Sequence, residues 1–304
     1  MAGTSPAVTP VPLVSVVLPS HNGVRYLDEA IESWRAQTHE RWELVLVDDG
    51  STDGTRACAE RWCARDSRIR LVRHETKRGL PAGLDSGFAA ARGEYLTWTS
   101  DDNVARPHML AALAAVLDER PDVGLVYSDY TVIDEHGVPA GRVEVGAPWE
   151  LARRNCVGAS FLYRREVRAR VGGYDEHLAL AEDYDFWLRV SAHFTLHAHH
   201  HDLYCYRVHP RSLTARHARS VARVSDRVLA RHLGRLPWLD RRDRAATYVA
   251  LAMRASRRRE PVFAARLLLA ATRHSPESVP GFVLERIARR VRPSRPGPVR
   301  GSAR

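Results

Sequence analysis

Apolar residues fall into two alternating rhythms over the first 120 positions. LVSVVLPS (13–20) is a short continuous apolar run closed by Pro and Ser, the pattern of a strand buried on both faces. Val24, Leu27, Ile31 and Trp34 then recur at helical spacing. A second strand, ELVLVDDG (43–50), ends in two carboxylates and a glycine. Ser51, Thr52 and Asp53 can cap a helix carrying Cys58, Trp62 and Cys63. IRLVRH (69–74) reads as a third strand, 80–92 as a helix despite two glycines, and EYLTWTS (94–100) as a fourth strand running into Asp101 and Asp102. Pro107 opens a helix with Leu110, Leu113 and Val116 or Leu117 on one face.

Strand and helix alternate four times, so the expected class is α/β, a mostly parallel sheet flanked by helices. Ligands of such sheets lie outside the carboxyl ends of the strands. Two carboxylate pairs, Asp48–Asp49 and Asp101–Asp102, fall at those ends. Beyond residue 123 the pattern loosens. VGLVYSDYTVI and GRVEV suggest antiparallel strands, 164–192 two helical stretches around Gly172-Gly173, and TLHAH and DLYCYRVH further strands. From 211 onward three amphipathic helices are expected, around Leu229, Leu233 and Leu236, around Tyr248, Leu251 and Ala252, and around Phe263, Leu267 and Leu268. The expected organisation is a flexible start (1–11), a catalytic domain (12–214), an Arg-rich helical extension (215–292) and a disordered tail (293–304).

Composition narrows the class. The 304 residues are 44% hydrophobic and 27% charged, as in a soluble globular protein. Four cysteines without CxxC spacing exclude a disulfide scaffold and a recognisable zinc site, and reduced thiols suit the cytosol. The N-terminus lacks the pattern of a secretion signal, and no apolar window reaches membrane-spanning length. The formal charge of +10 is unevenly spread: residues 1–210 sum to −7 and residues 211–304 to +17, with Lys77 the sole lysine. The expected location is cytoplasmic. The basic region admits two roles, peripheral contact with an anionic membrane on its inner face, or a solvated hairpin packed on the core.

The candidate chemistry begins with TSDDN (99–103). Adjacent carboxylates at a strand end repel each other, and a hard divalent cation shared with phosphate oxygens relieves that repulsion. Read alone, the pair is a solvated turn in which Asp102 and Asn103 cap the next helix. The neighbouring motifs change that reading. VVLPSHNG, with Pro19, Ser20, His21 and Asn22, and VDDGSTDGT, with Asp48, Asp49, Gly50, Ser51, Asp53, Gly54 and Thr55, resemble the opening blocks of family 2 glycosyltransferases of the GT-A fold. RGLPAGLDSGFAAARGEYLTWTSDDN, VGGYDEHLALAEDYDFWLRV (171–190) and YRVHPRSLT (206–214) resemble the blocks that follow. The chain departs from the family pattern at Asp85, usually Asn, and at Thr99, often the first Asp of the metal-binding element. The resemblance covers residues 12–214.

It implies an inverting glycosyltransferase that moves a sugar from a nucleotide-diphosphate sugar, UDP or dTDP favoured, to a glycan or lipid-linked acceptor, in polysaccharide, cell-envelope glycan or glycolipid synthesis. By resemblance, Asp102 binds Mg²⁺ or Mn²⁺ with Asp101 beside it, Asp101 also reaches the ribose, and Asp49 accepts from a ring N–H of the base. Pro19, Ser20 and Asn22 line the nucleotide. Arg78, in the loop after the third strand, stands either at the nucleotide phosphate or in solvent. Asp183 matches the base that takes the acceptor proton, and Glu182 orients acceptor hydroxyls. Read alone, Asp183 is a carboxylate favoured by a helix N-terminus. His209 stands either at the metal and diphosphate or at a surface strand end. Trp187 is offered to the acceptor, although its spacing favours core. His197 and His199 share a strand face without a completing ligand and read as a polar edge. Competing classes are a sugar-phosphate nucleotidyltransferase, whose Gly-rich and Pro-Lys elements are missing, and a non-catalytic nucleotide-sugar-binding module. A nucleic-acid binder using the basic tail is a further rival, but it lacks a recognisable reading motif and the acidic half would repel phosphate backbones.

Overall fold

The computed structural model describes residues 11–284. The expected flexible start, apart from its last residue, the last stretch of the helical extension and the expected disordered tail lie outside the described residues.

Four parallel strands form the first half of the sheet: β1 (Val14–Ser20), β2 (Trp42–Asp49), β3 (Ile69–His74) and β4 (Tyr95–Trp98), in the order β3-β2-β1-β4. Every residue of β1 and β2 is buried, which is why both read as unbroken apolar runs. The helices α1 (Val24–Arg35), α2 (Thr55–Arg65) and α3 (Leu80–Ala90) connect them. On α1 the buried stripe is Leu27, Ala30, Ile31 and Trp34, while Val24 is exposed, one position short of the expected face. On α3 both glycines face the sheet, Gly83 against Pro19 and Gly87 against Val17 and Val47. A Cβ at Gly87 would collide with Val17, so the helix lies directly on the sheet.

The second half of the sheet is mixed. β4 pairs antiparallel with β8 (Phe161–Arg164), β8 antiparallel with β6 (Val123–Ile133), and β6 parallel with β9 (Thr195–Arg207). Two short strands complete it: β5 (Val104–Ala105) on β9 and β7 (Pro139–Val143) on β6, both antiparallel. The parallel character is therefore concentrated in β1–β4. TLHAH and DLYCYRVH form one long strand rather than two, because register shifts against β6 let it bend without breaking. α4 (Met109–Glu119) buries Leu110, Leu113 and Leu117; α5 (Arg165–Val171) and α6 (Glu182–Ser191) flank the Gly172-Gly173 turn.

The chain divides into two compact units, one reaching His232 and one starting at Leu233. α7 (Leu213–His232), assigned to the extension on sequence, packs against α6 within the first unit. It kinks at His217 and ends at His232, so the helix expected to hold Leu229, Leu233 and Leu236 is interrupted; Leu233 falls in a short 3-10 turn. In the second unit α8 (Arg241–Arg257) and α9 (Pro261–His274) form a hairpin that buries Tyr248, Leu251, Ala252 and Leu267, while Leu268 is exposed. All four cysteines are free. No helix among the described residues is long and apolar enough to cross a membrane.

Candidate active site

The strand ends bring the first three motifs together. β1 stops at Ser20 opposite Asp48 of β2, and the chain after β4 runs through Thr99 to Asp102 beside them. Ser20 Oγ–H donates to Asp101 Oδ2 in a very short hydrogen bond. Gly23, just before α1, is required there: a Cβ would overlap the Asp101 carboxylate and the Ser20 hydroxyl. Asp101 is pushed up to about 7, chiefly by burial, with the charges of Asp102 and Asp53 adding to it and the Ser20 hydrogen bond opposing.

Asp102 faces the last strand. β5 pairs with β9 in the register Val104↔Cys205, which sets the carboxylate turn beside Tyr206-Arg207-Val208-His209. His209 Nε2 lies 3.0 Å from Asp102 Oδ2, and its ring packs on Tyr26 at 5.3 Å. His209 is thus within the site and not at a free strand end. Its Nδ1 is buried without a hydrogen-bond partner.

Arg207 is the residue that motif reading passed over. It is 2% exposed, donates from Nε to the Asp102 carbonyl at 2.8 Å and from Nη2 to Glu29 at 2.7 Å, and lies over the Tyr26 ring. Its backbone N–H donates to Asn103 Oδ1 at 2.8 Å. A buried guanidinium thus ties the carboxylate turn to β9 and α1. Its signal was its place inside YRVH. Thr99, standing where the family often has Asp, is buried and bonded through Oγ1 to the Tyr204 hydroxyl at 2.6 Å, a structural contact.

Asp183 sits at the start of α6. Oδ1 accepts from the Tyr184 N–H at 2.6 Å and Oδ2 from Asn155 Nδ2 at 2.8 Å. Burial raises its pKa, against those two hydrogen bonds. Its neighbour Glu182 is raised by burial first and then by the charge of Asp183, and Glu182 Oε2 is buried without a partner. The Tyr206 hydroxyl meets Thr214 Oγ1 at 3.3 Å, a contact that works to lower its pKa. Burial raises its pKa most, and the charges of Asp102 and Asp183 both raise it further. Carboxylates 81 positions apart in sequence therefore act on one phenol.

Other expected residues are placed differently. Asn22, at φ 57°, spends its side chain on the Thr52 N–H at 2.8 Å and its N–H on Ser51 Oγ at 3.1 Å, joining the first motif to the second. Pro19 is buried in β1. Arg78 gives its backbone N–H to Asp49, while its guanidinium is exposed and lies 3.7 Å from Glu176. Trp187, offered to the acceptor on sequence, is 0% exposed and packs edge-on against Phe161 at 4.7 Å, the core placement that its helical spacing favoured. His197 and His199 gather no ligand set. His197 Nδ1 lies 3.0 Å from Arg120, and the His199 and His201 rings stack at 4.2 Å.

Among the described residues no group of three or more His, Cys, Asp or Glu converges to hold a metal. The donor set nevertheless fits a cation that is completed by substrate. Mg²⁺ or Mn²⁺ at a diphosphate uses one or two protein carboxylates, and Asp101 and Asp102 form such a pair, the first carrying a proton-hungry carboxyl that a cation would relieve.

The sequence model of glycosyl transferase family 2 matches residues 15–172, just over half of the chain. The chain belongs to glycosyl transferase family 2. Among curated family relatives, it is 34% identical over 185 residues to the putative glycosyltransferase EpsE of Bacillus subtilis, covering 59% of this chain and 66% of EpsE. It is 32% identical over 185 residues to the O-antigen biosynthesis protein RfbC of Myxococcus xanthus, covering 59% of this chain and 14% of RfbC. The match spans less than two thirds of either relative. Among solved structures, S. aureus TarS 1–349 in complex with UDP-GlcNAc aligns with a TM-score of 0.68 at 18% identity, over 90% of this chain and 85% of that one. The mannosyltransferase PcManGT from Pyrobaculum calidifontis, in complex with GDP-Man and Mn²⁺, aligns at 0.61 and 19% identity, over 93% and 82%. At these identities the likeness establishes the fold, which is the GT-A arrangement expected from the motifs.

Proposed function

We propose that the protein is an inverting glycosyltransferase that moves a sugar from a nucleotide-diphosphate sugar to an acceptor hydroxyl, with Asp183 as base. The observation that supports this reading is the meeting of the motifs at the strand ends, where Ser20 bonds Asp101 and His209 lies 3.0 Å from Asp102, with the charges of Asp102 and Asp183 both felt at Tyr206. Asp102 and Asp101 would hold a divalent cation, which when bound neutralises charge on the departing diphosphate as a Lewis acid. PcManGT carries Mn²⁺ with its donor, which supports a metal of this class.

The chain's own residues divide the remaining work. Asp183 takes the proton of the acceptor hydroxyl as that oxygen bonds to the anomeric carbon. The bond from that carbon to the diphosphate oxygen breaks on the opposite face, so the configuration inverts. Burial raises the proton affinity of Asp183, which suits a base, and the Asn155 and Tyr184 N–H groups fix its orientation. The unpartnered Glu182 Oε2 is suited to an acceptor hydroxyl. Asp49 reads the base through a ring N–H. That chemistry suits uracil or thymine and disfavours cytosine and adenine, and TarS, which is solved with UDP-GlcNAc, supports UDP or dTDP. The acceptor is a glycan or lipid-linked sugar, as the relation to an O-antigen biosynthesis protein supports. The basic C-terminal unit would meet anionic lipid at the inner face of the membrane. Its α9 exposes Val262 and Leu269 beside Arg266 and Arg273, an apolar and cationic face of complementary character.

Calorimetric titration of UDP in the presence and absence of Mn²⁺ tests the two halves of the cleft. In Asp102→Ala the Mn²⁺-dependent gain in affinity is lost, whereas in Asp183→Asn it is kept. Equal effects of both substitutions on nucleotide affinity would contradict the division of roles. A non-catalytic module would bind the nucleotide and release no sugar.

A further inference from the structure

The β2–β3 register sets Asp49 directly opposite His74, and α3 then brings Ser86 against the far side of the ring. His74 Nδ1 lies 2.7 Å from Asp49 Oδ1, and His74 Nε2 lies 2.9 Å from Ser86 Oγ. Asp49 and His74 are buried. An ionised carboxylate only accepts, so Nδ1 carries the hydrogen; in the neutral ring Nε2 then accepts the Ser86 O–H. The loop before α3 supplies two more donors: the Arg78 N–H to Oδ1 at 2.8 Å and the Gly79 N–H to Oδ2 at 2.8 Å. Gly79 reaches that orientation at φ 93°.

Burial works to raise the pKa of Asp49, and the hydrogen bonds from His74, Arg78 and Gly79 outweigh it, so the group stays an ionised acceptor. A carboxylate offers about four lone-pair positions. Three are taken by the protein, two on Oδ1 and one on Oδ2. The position left on Oδ2 suits one N–H donor and repels a ring nitrogen lone pair. The Arg78 and Gly79 N–H groups hold one oxygen each, and the imidazole, itself held by Ser86, adds a third anchor on Oδ1 that sharpens the carboxylate's orientation.

We propose that His74 and Ser86 are positioning residues that orient Asp49 and thereby set the preference of the nucleotide site for a base with a ring N–H, such as uracil, over cytosine. This rests on the base-reading role proposed for Asp49. Neither residue needs to touch the nucleotide; they act through the carboxylate. Three successive elements, β2, β3 and α3, would thus cooperate in one recognition contact.

The test compares UDP and CDP binding to the full chain by calorimetry at fixed Mn²⁺. His74→Leu removes a hydrogen bond to a charged acceptor, so UDP affinity falls about tenfold while CDP affinity changes by less than about twofold. His74→Asn places an amide N–H where Nδ1–H stood and keeps most of the preference. Ser86→Ala, which leaves the ring and the fold's packing in place, lowers UDP affinity in the same direction by a smaller factor. Equal losses for UDP and CDP in His74→Leu or in Ser86→Ala would mark a merely structural role and overturn the proposal. So would His74→Asn losing the preference as fully as His74→Leu. If His74→Leu does not fold, Ser86→Ala and His74→Asn decide by the same criterion. Asp49→Ala separates the two levels. If it leaves the UDP preference intact, the base-reading role itself fails; if it removes the preference and the relay variants do not, only the relay fails.

Discussion

Single carboxylates in this protein owe their properties to what surrounds them. Asp49 and Asp183 both lie at element ends, yet one is held below and the other above the ordinary range, because donors outweigh burial at the first and burial outweighs donors at the second. Glu182 extends the contrast. Burial and the charge of Asp183 push it up to about 8, from an ordinary 4.5. A carboxyl raised in the folded state stabilises the fold below its unfolded pKa and loses that contribution as pH rises through the folded one. Melting temperatures of wild type and Glu182→Gln are therefore expected to coincide near pH 4 and to diverge as pH rises from 4.5 through about 8, with the variant the more stable. Parallel curves across that range would contradict the assignment. Of the site, the aspartates were legible in the sequence because each stands in an ordered motif. Asn155 and His74 were not, since a lone polar residue in a loop or strand end carries no spacing signal.

Elements position these groups through close approaches that only small residues allow. Gly23 lets α1 start against the Asp101–Ser20 pair, and Gly87 lets α3 lie on Val17 and Val47. Gly87→Ala is expected to destabilise the protein by about 1–3 kcal/mol through overpacking, read as a lower urea midpoint at unchanged slope. An unchanged midpoint would mean that α3 moves off the sheet without cost. The parallel strands were legible because burial on both faces gives continuous apolar runs, as in VSVVLPS and WELVLVDD. β9 was harder. Its histidines and its bend against β6 hide a single strand behind two apparent ones. The first turns of α7, residues 213–220, are exposed on every side, so helical periodicity there says nothing of packing or of the docking of the helix on α6. The His232–Asp185 contact at 2.6 Å secures that docking, two residues from Asp183.

For the molecule as a whole, charge asymmetry is the strongest feature outside the motifs. Residues 1–210 sum to −7 and residues 211–304 to +17, and the proposed membrane contact rests on the second figure. Flotation with vesicles containing anionic lipid is expected to enrich the protein relative to neutral vesicles at low salt, and Arg266→Glu with Arg273→Glu to abolish that enrichment. Equal recovery on both vesicle types would remove the membrane contact. The central claim, that one cleft holds a base and a leaving-group site, is tested most directly by turnover with water as acceptor. Release of free sugar from the bound donor in Mn²⁺ should fall by about 10²–10⁴-fold in Asp183→Asn, the range contributed by a positioned general base, while UDP affinity stays unchanged. Release at the wild-type rate in Asp183→Asn would contradict the account.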